Sequence, residues 1–461
     1  MTTQLTGRIA EHIAAASFDR LPPATVRATK RALLDAVGVT LGASGISDDV
    51  EPFIEAARRG ATSPQATVLG CGFRTSAELA ALANGAMAHA LDFEDTFDRA
   101  PGHPNAALIP AALAVAEARG GVSGRELITA VALGCDLSCR IALSLRAPME
   151  AGGWYPPPIL GSIGAAAAAA RLLGLSPRQV ADTLSLMLCQ VSCPGEIKHD
   201  EATVIRAVRE AFPASAAVRS AQLAQLGVRG FERPLEGEAG FFRLYVDGAY
   251  DPGDVLDGLG EHYWIEELSF KPWPSCRGTH PYIEAAENML RRHGVAASRI
   301  TRIVVGGGEV QRMLFFPFER KRAPATAIDA KFSIPFTVAL ALAERGVTLD
   351  SFDDASRNDP EVLRLAGLAE YLELPGWGRE RAASGLLELH LNGGQVLSEQ
   401  VDDPLGSPAR PMSERQLRAK FAQCAARARY PLTSGQCDEA ADQIERLEHI
   451  DDIAALAVLA A

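Results

Sequence analysis

The first 265 residues of the chain read as a nearly unbroken series of helices. Apolar residues recur there three and four positions apart, as in Leu34, Val37 and Leu41, which is the spacing of a helix that buries one face. Proline directly after a serine, as at Ser176-Pro177, marks the start of such a helix because proline is favoured at the first helical position. The pattern predicts a large helical domain.

The texture of the chain changes near Tyr263. The stretch RITRIVVGGGEV alternates and is β-branched, and GLLELHLNGGQVLSEQV reads as two strands joined by a turn at Asn392-Gly393-Gly394. Helical patterns lie between these strands and return after the loop DDPLGSPARPMS. We therefore predict a mainly α protein, with a large all-helical domain built from residues 1–265 and 405–461 and a smaller α+β domain inserted at residues 266–404.

Charge and hydropathy exclude several classes of protein. The net charge is −12, whereas a nucleic-acid-binding domain is usually basic, so we expect no nucleic-acid partner. The most apolar run, IGAAAAAARLLGL, is interrupted by Arg171 and is too short to cross a bilayer, so we expect no membrane segment. The N-terminus lacks the apolar stretch of a secretory signal, and we predict a cytoplasmic protein.

The eight cysteines favour free thiols over a metal centre. Cys135 and Cys139 are four residues apart, as are Cys189 and Cys193, which fits one face of a helix rather than the two-residue gap of zinc or cluster ligands. An iron–sulfur hydratase is therefore disfavoured. Buried thiols in a reducing compartment are the expectation.

The stretch ALDFEDTFDRAPGHPN concentrates charge between two alanine-rich helical runs. If the preceding helix continues through Asp95, then His89, Asp92 and Thr96 share one of its faces, because they lie three and four residues apart. His103 follows, and a histidine beside a carboxylate suits acid–base chemistry near neutral pH. The alternative interpretation is a solvated acidic loop.

A metal-dependent interpretation of this stretch is weaker. The carboxylate spacing of DFEDTFD would suit an aspartate-rich magnesium site of the terpene-synthase kind. A second metal motif is not recognisable in the sequence, however, and His103 has no role in such a site. We therefore expect no metal ligands.

Two further clusters carry positive charge. The stretch SFKPWPSCRGTHPYIEA holds Lys271, Arg277 and His280 in a proline-stiffened loop that suits the carboxylates of an anionic substrate, although a charged connector has the same pattern. The stretch VIRAVREAFPASAAVRSAQLA places Arg206, Arg209 and Arg219 around a helix start, and the spacing alone favours a solvated basic face there.

Taken together, these stretches resemble the MmgE/PrpD family. The similarity rests on NGAMAHALDFEDT followed by GHPNAALIPAALAVAE, then LGSIGAAAAAARLLGL, KPWPSCRGTHP, DAKFSIPF and PMSERQLRAKFAQC, which occur in the family's order along nearly the whole chain. The resemblance implies a helical domain with an α+β lid domain, a homodimer, and an active site between domains. Known family activities are 2-methylcitrate dehydratase, cis-aconitate decarboxylase and iminodisuccinate epimerase, and they imply small di- or tricarboxylate substrates and no metal or organic cofactor.

The resemblance also implies site residues. Asp92, Thr96 and His103 match the family's aspartate, threonine and histidine in the first motif, while Lys271 and His280 match the lysine and histidine of the second. We expect His103 to be the general base or acid, Asp92 to orient it, and Thr96 to bind a substrate oxygen. Lys271 is expected to hold a carboxylate and to stabilise the enolate-like charge.

Three positions depart from the family pattern. Tyr155 stands where many members have a histidine, and Arg209 and Phe212 stand where they have a lysine and a second histidine. Arginine keeps the positive charge of lysine but does not lose its proton. We expect Tyr155 to donate a proton to the leaving group and Arg209 to hold a substrate carboxylate.

The sequence thus predicts a cofactor-independent lyase. The main prediction is dehydration of a 2-methylcitrate-like alkylcitrate by proton abstraction and β-elimination, with Arg277, His280 and His89 as further substrate-binding residues. Decarboxylation of a cis-aconitate-like acid, or epimerisation at the same carbon, is the alternative because these reactions share a carbanion-like intermediate. A second alternative is a non-catalytic dimeric scaffold, since a lysine and two histidines are replaced.

Overall fold

A computed structural model describes residues 5–100, 102–200, 203–343, 346–456 and 459. The chain divides into two compact units. The first unit contains the residues up to Ala90, Glu94–Leu268 and those from Ser413 onward, and the second contains Leu91–Phe93 and Ser269–Met412. Helices dominate the described residues, which confirms the prediction of a mainly α protein.

The first unit is helical apart from one short β-hairpin. Its helices are α1 (Leu5–Ala15), α2 (Pro23–Ile46), α3 (Glu51–Arg59), α4 (Ala77–Ala90), α5 (Pro104–Arg119), α6 (Gly124–Ser144), α7 (Pro156–Leu172), α8 (Pro177–Leu188), α9 (Ile205–Val208), α10 (Ala211–Gln225), α11 (Phe241–Val246) and α12 (Pro252–Leu256), with two further helices, Glu414–Ala425 and Ser434–Glu445, near the end of the chain. The hairpin pairs β1 (Ala66–Val68) with β2 (Phe73–Thr75), and the sequence patterns did not indicate it.

Local sequence accounts for the boundaries of several helices. Ser176 caps α8 by accepting a hydrogen bond from the backbone of Gln179, whose side chain accepts in return, and Pro177 is the first helical residue as predicted. The same reciprocal arrangement of Ser123 and Glu126 starts α6. Helix α5 ends at Arg119 and is followed by Gly120, whose φ of 71° is easily reached only by glycine.

Small residues allow the central helices to pack closely. Helices α5, α6 and α7 contact one another along their lengths. A Cβ atom placed on Gly134 of α6 would lie only 2.5 Å from the carbonyl oxygen of Gly164 in α7, so glycine is required at this crossing. Helix α6 is long and apolar enough to cross a membrane, but 89% of its apolar window is buried, as in a core helix.

Helix α4 ends earlier than predicted. It stops at Ala90 and does not continue through Asp95, so His89, Asp92 and Thr96 do not share a helical face. Asp92 has a φ of 48°, a left-handed conformation that ends the helix and that aspartate tolerates better than most residues.

The second unit is built around a four-stranded sheet. Its strands are β3 (Ile300–Gly307), β4 (Ala369–Glu373), β5 (Gly385–Leu391) and β6 (Val396–Val401), in the order β4-β3-β5-β6. Its helices are α13 (His280–His293), α14 (Glu309–Phe315), α15 (Phe318–Arg322), α16 (Ala327–Lys331), α17 (Ile334–Leu342), α18 (Asp354–Arg357) and α19 (Pro360–Ala366). Strand β3 and the β5–β6 hairpin confirm the predicted strands, whereas β4, which pairs in parallel with β3, was not anticipated.

The cysteine prediction is correct in part. All eight cysteines are free thiols, and Cys135 and Cys139 are buried within α6. Cys189 and Cys193 do not share a helical face, because α8 ends at Leu188.

Candidate active site

The loop between α4 and α5 carries the acidic cluster, and the cluster is buried. Glu94 and Asp95 are each 1% exposed and Thr96 is 5% exposed. A solvated acidic loop would leave such side chains in water, so that interpretation is wrong. Burying carboxylates is costly unless they are paired, and their partners therefore define the site.

His103 is held by this loop at the N-terminus of α5. Its Nδ1 lies 2.7 Å from Oε1 of Glu94 and 3.2 Å from the carbonyl oxygen of Asp95. A carbonyl oxygen only accepts hydrogen bonds, so Nδ1 carries a proton and Nε2 is the atom that can exchange one. The His103 side chain remains 14% exposed, which leaves the ring accessible to a small molecule.

The carboxylate beside His103 is therefore Glu94, which the sequence analysis did not single out. The expectation was that Asp92 would orient His103. The sequence offered several carboxylates in DFEDTFD, and the choice among them depends on the turn after Ala90 rather than on helical spacing.

Glu94 also contacts a second imidazole. Nδ1 of His89 and Oε1 of Glu94 form a hydrogen bond, and the rings of His89 and His103 meet edge to face with centroids 5.0 Å apart. Nε2 of His89 faces the guanidinium of Arg209. Arginine only donates, so Nε2 accepts and the proton of a neutral His89 lies on Nδ1, directed at Glu94.

Close helix packing brings His89 to Arg209. A Cβ atom on Gly85 of α4 would lie 2.6 Å from the carbonyl oxygen of Glu210, which directly precedes α10. His89 lies four residues after Gly85 on α4, on the same helical side. The absence of a side chain at Gly85 therefore allows His89 and Arg209 to meet.

Arg209 is 1% exposed and has several partners within the first unit. Its Nε lies 3.2 Å from Oε1 of Glu210, and one terminal nitrogen donates to the carbonyl oxygen of Arg206 at 2.8 Å. Burial raises the pKa of Glu210 to about 7, although Arg209 opposes the shift. The guanidinium also lies 5.2 Å from the ring centroid of Tyr155.

Tyr155 and Thr96 also belong to the first unit. Tyr155 directly precedes α7 and is 8% exposed. The hydroxyl of Thr96 donates to Oδ1 of Asp98 at 2.8 Å. Phe212, which replaces a family histidine, is 52% exposed and packs edge to face against Phe53.

The second unit contains the other predicted residues. Nζ of Lys271 donates to Oδ1 of Asp92 at 2.6 Å and to the Asp92 carbonyl oxygen at 2.9 Å, with both side chains buried. The structure thus joins one residue of the first motif to the lysine of the second.

Arg277 and His280 contact each other in the second unit. His280 is fully buried, and its Nε2 donates to the carbonyl oxygen of Ser275 at 3.1 Å. Its Nδ1 therefore accepts from Arg277, at 3.2 Å, and Arg277 also donates to the carbonyl oxygen of Leu405 at 3.0 Å. These contacts stabilise the loop that follows Lys271.

His89, Glu94 and His103 are residue types that can bind a metal ion, and their ligand atoms lie within 4.8 Å of one another. Their hydrogen bonds do not fit that role. Both Nδ1 atoms carry protons, Nε2 of His89 accepts from Arg209, and the guanidinium charge would repel a cation nearby. The arrangement fits proton transfer better than metal binding.

Asp95 provides a test of the buried electrostatics. Burial raises the pKa of Asp95 to about 8, although a hydrogen bond from Asn105 opposes the shift. A carboxyl pKa that is higher in the folded than in the unfolded protein contributes stability that is complete below the unfolded value and is lost as the pH rises towards 8. We expect Asp95→Asn, which stays neutral, to lose less stability than the wild type over this range, by at least about 1 kcal/mol.

The measurement is urea unfolding at two pH values, one near the pKa of aspartate in the unfolded protein and one at about pH 8. Asp451 is exposed, and Asp451→Asn is the control that should follow the wild type. Equal pH dependence of the wild type and Asp95→Asn would show that Asp95 is not protonated in the folded protein.

The sequence is similar to those of known proteins along most of its length. The model of the MmgE/PrpD N-terminal domain matches residues 7–252, and that of the MmgE/PrpD C-terminal domain matches residues 273–446. Human cis-aconitate decarboxylase is 27% identical over 481 residues, covering 100% of this chain and 95% of the human protein. Cis-aconitate decarboxylase of Aspergillus terreus is 24% identical over 411 residues, covering 84% of this chain and 82% of the fungal protein. Since the two domain models together span most of its length, the chain belongs to the MmgE/PrpD family.

Proposed function

We propose that this protein is a lyase that decarboxylates a small unsaturated polycarboxylate of the cis-aconitate type. The sequence analysis favoured dehydration of a 2-methylcitrate-like acid and kept decarboxylation as the alternative. The named relatives are cis-aconitate decarboxylases, and they support the alternative better than the main prediction.

The observation that carries the proposal is the contact of Glu94 with Nδ1 of His103. In the proposed reaction the bond from carbon to one carboxylate breaks, CO2 leaves, and the bonding electrons form a new double bond. The electrons of the original double bond then take up one proton at its carbon that lies farther from the lost carboxylate. His103 in its charged form supplies that proton from Nε2, and the Glu94 carboxylate stabilises the charged ring beforehand.

The remaining residues have supporting roles in this proposal. The Thr96 hydroxyl and the Tyr155 ring lie in the same unit as His103, and we assign them to positioning the substrate and, for Tyr155, to proton donation. Lys271 is assigned to a substrate carboxylate, with Asp92 as its present partner. The buried contacts of Arg277 and His280 suit a role in shaping their loop rather than in binding the substrate directly.

The test is incubation with cis-aconitate, 2-methylcitrate and an epimerisable amino dicarboxylate in deuterated water, followed by NMR. Decarboxylation releases CO2 and gives a product with deuterium on one carbon. Dehydration converts methylcitrate into an alkene without loss of carbon, and epimerisation places deuterium in otherwise unchanged acid. Release of CO2 from cis-aconitate supports the proposal, and either of the other products would replace it.

A ligand-binding measurement separates an enzyme from a scaffold. A polycarboxylate that binds only the folded protein raises the unfolding temperature as its concentration increases. We expect stabilisation by cis-aconitate. Neither stabilisation nor turnover with any acid of the panel would favour the non-catalytic scaffold, and the predicted homodimer can be checked by light scattering on the same samples.

A further inference from the structure

We propose that Arg209, His89 and Glu94 form a buried relay that fixes the proton arrangement at His103, with His89 as a neutral positioning residue rather than a substrate ligand. The inference rests on the proposed function only for its effect on turnover. The proton arrangement itself is a property of the ligand-free protein. All four side chains belong to the first unit.

The relay is defined by the direction of its hydrogen bonds. Arg209 donates to Nε2 of His89, so the single proton of neutral His89 lies on Nδ1 and is donated to Glu94. Nδ1 of His103 approaches the same oxygen of Glu94. One carboxylate oxygen thus accepts from two imidazoles, and the direction of donation is set by the arginine at the far end.

The surroundings of His89 disfavour its charged form. A second proton on Nε2 would point at the N–H groups of Arg209. Both side chains are in a region from which water is excluded, since His89 is 0% and Arg209 1% exposed. Like charges in contact are strongly unfavourable where solvent does not screen them. His89 therefore stays neutral, and the Glu94 charge remains available to stabilise charged His103.

Other charged groups of the first unit lie near this relay. Asp95 follows Glu94 in the loop, Glu210 and Arg206 contact Arg209 from the α9–α10 segment, and Lys198 lies 5.8 Å from the Tyr155 ring centroid. A positive charge on His89 would lie beside those of Arg209 and Arg206, whose side chains are also buried.

Arginine and lysine are not equivalent at position 209. The guanidinium reaches Glu210, the Arg206 carbonyl and His89 at once, because it offers five donors in a fixed fork. A lysine has one nitrogen and can lose its proton, so it would fix the tautomer of His89 less firmly. The departure from the family pattern at Arg209 therefore makes His89 a fixed donor in this chain.

The test is NMR of ligand-free protein labelled with ¹⁵N-histidine, with His89 and His103 assigned by His89→Gln and His103→Gln. We expect His89 to show the neutral Nδ1–H form from about pH 5.5 to about pH 8.5, across the range where free histidine titrates. In Arg209→Gln we expect the Nε2–H form or titration of His89 to appear. Arg219→Gln removes an exposed arginine from α10 and should leave His89 unchanged.

Two results would overturn the relay. They are titration or an Nε2–H form of His89 in the wild type, and an unchanged His89 in folded Arg209→Gln. Arg209→Lys covers the case in which Arg209→Gln does not fold, because it keeps the buried charge; mixed tautomers of His89 are expected there, and the wild-type pattern would contradict the proposal.

A kinetic measurement connects the relay to turnover. In Glu94→Gln the kcat on cis-aconitate is expected to fall while KM changes little, since charged His103 loses the carboxylate that stabilises it in the reaction. An unchanged kcat would contradict the relay. If the NMR pattern holds and no acid is turned over, the proposed function fails while the proton arrangement stands.

Discussion

Replacing His103 with alanine is expected to lower turnover of cis-aconitate at least about a hundredfold, the lower end of what a positioned acid or base contributes. The reason is that His103 alone among the described residues combines a partly exposed ring with an Nδ1 proton directed at Glu94 and an Asp95 carbonyl. Turnover is measured at saturating substrate, with CO2 release as the readout.

The fold should survive this substitution. His103 packs at a helix start and is not part of the deepest core, so the circular dichroism spectrum of His103→Ala should match the wild type. His449→Ala removes an exposed histidine from the same unit and should retain full activity. Near wild-type turnover of His103→Ala would remove His103 from the mechanism.

The largest effect on stability is expected for Lys271→Met. Lys271 is 0% exposed and Asp92 is 1% exposed, so the substitution leaves a carboxylate buried without its cation. Breaking a buried ion pair from one side typically costs about 3–5 kcal/mol of unfolding free energy. Urea unfolding followed by circular dichroism measures the loss.

Two further variants identify the origin of that loss. The double variant Lys271→Met with Asp92→Asn removes both charges and should regain most of the stability, because no isolated charge remains. Arg302→Met breaks an ion pair with Glu370 whose side chains are 47% and 57% exposed, and it should cost less than about 1 kcal/mol. A loss for Lys271→Met as small as for Arg302→Met would show that the pair is not buried in solution.

The parts of the fold that could be predicted depend on local chemistry. The β5–β6 hairpin was visible because Gly393 and Gly394 supply the positive φ angles of the turn, 91° and 86°, between two runs of alternating residues. The start of α8 was visible because Ser176 and Pro177 act within one turn. Strand β4 was missed because its parallel pairing with β3 depends on residues distant in the chain.

In the candidate site, too, the residues that local sequence reveals differ from those that depend on distant contacts. His103 could be identified because a histidine before a proline-led helix, near several carboxylates, is informative in sequence. Glu94, the carboxylate partner of His103, could not be identified from the sequence, because the left-handed backbone at Asp92 redirects the chain after α4. Asp92 itself is bound by Lys271, 179 residues away in the chain. The tautomer of His89 depends on Arg209, 120 residues away, and no spacing within the first motif reveals it.

Where α6 and α7 cross, backbone contacts between glycines set the distance between the two helices. Gly134 lies against Gly164, so the two main chains are in direct contact and no side chain separates them. Tyr155 directly precedes α7, so the placement of its Cα depends on how that helix packs. We therefore expect substitutions of Tyr155 to leave the position of α7 unchanged. Replacing either glycine with a larger residue is expected to displace α7 and the residues that it positions.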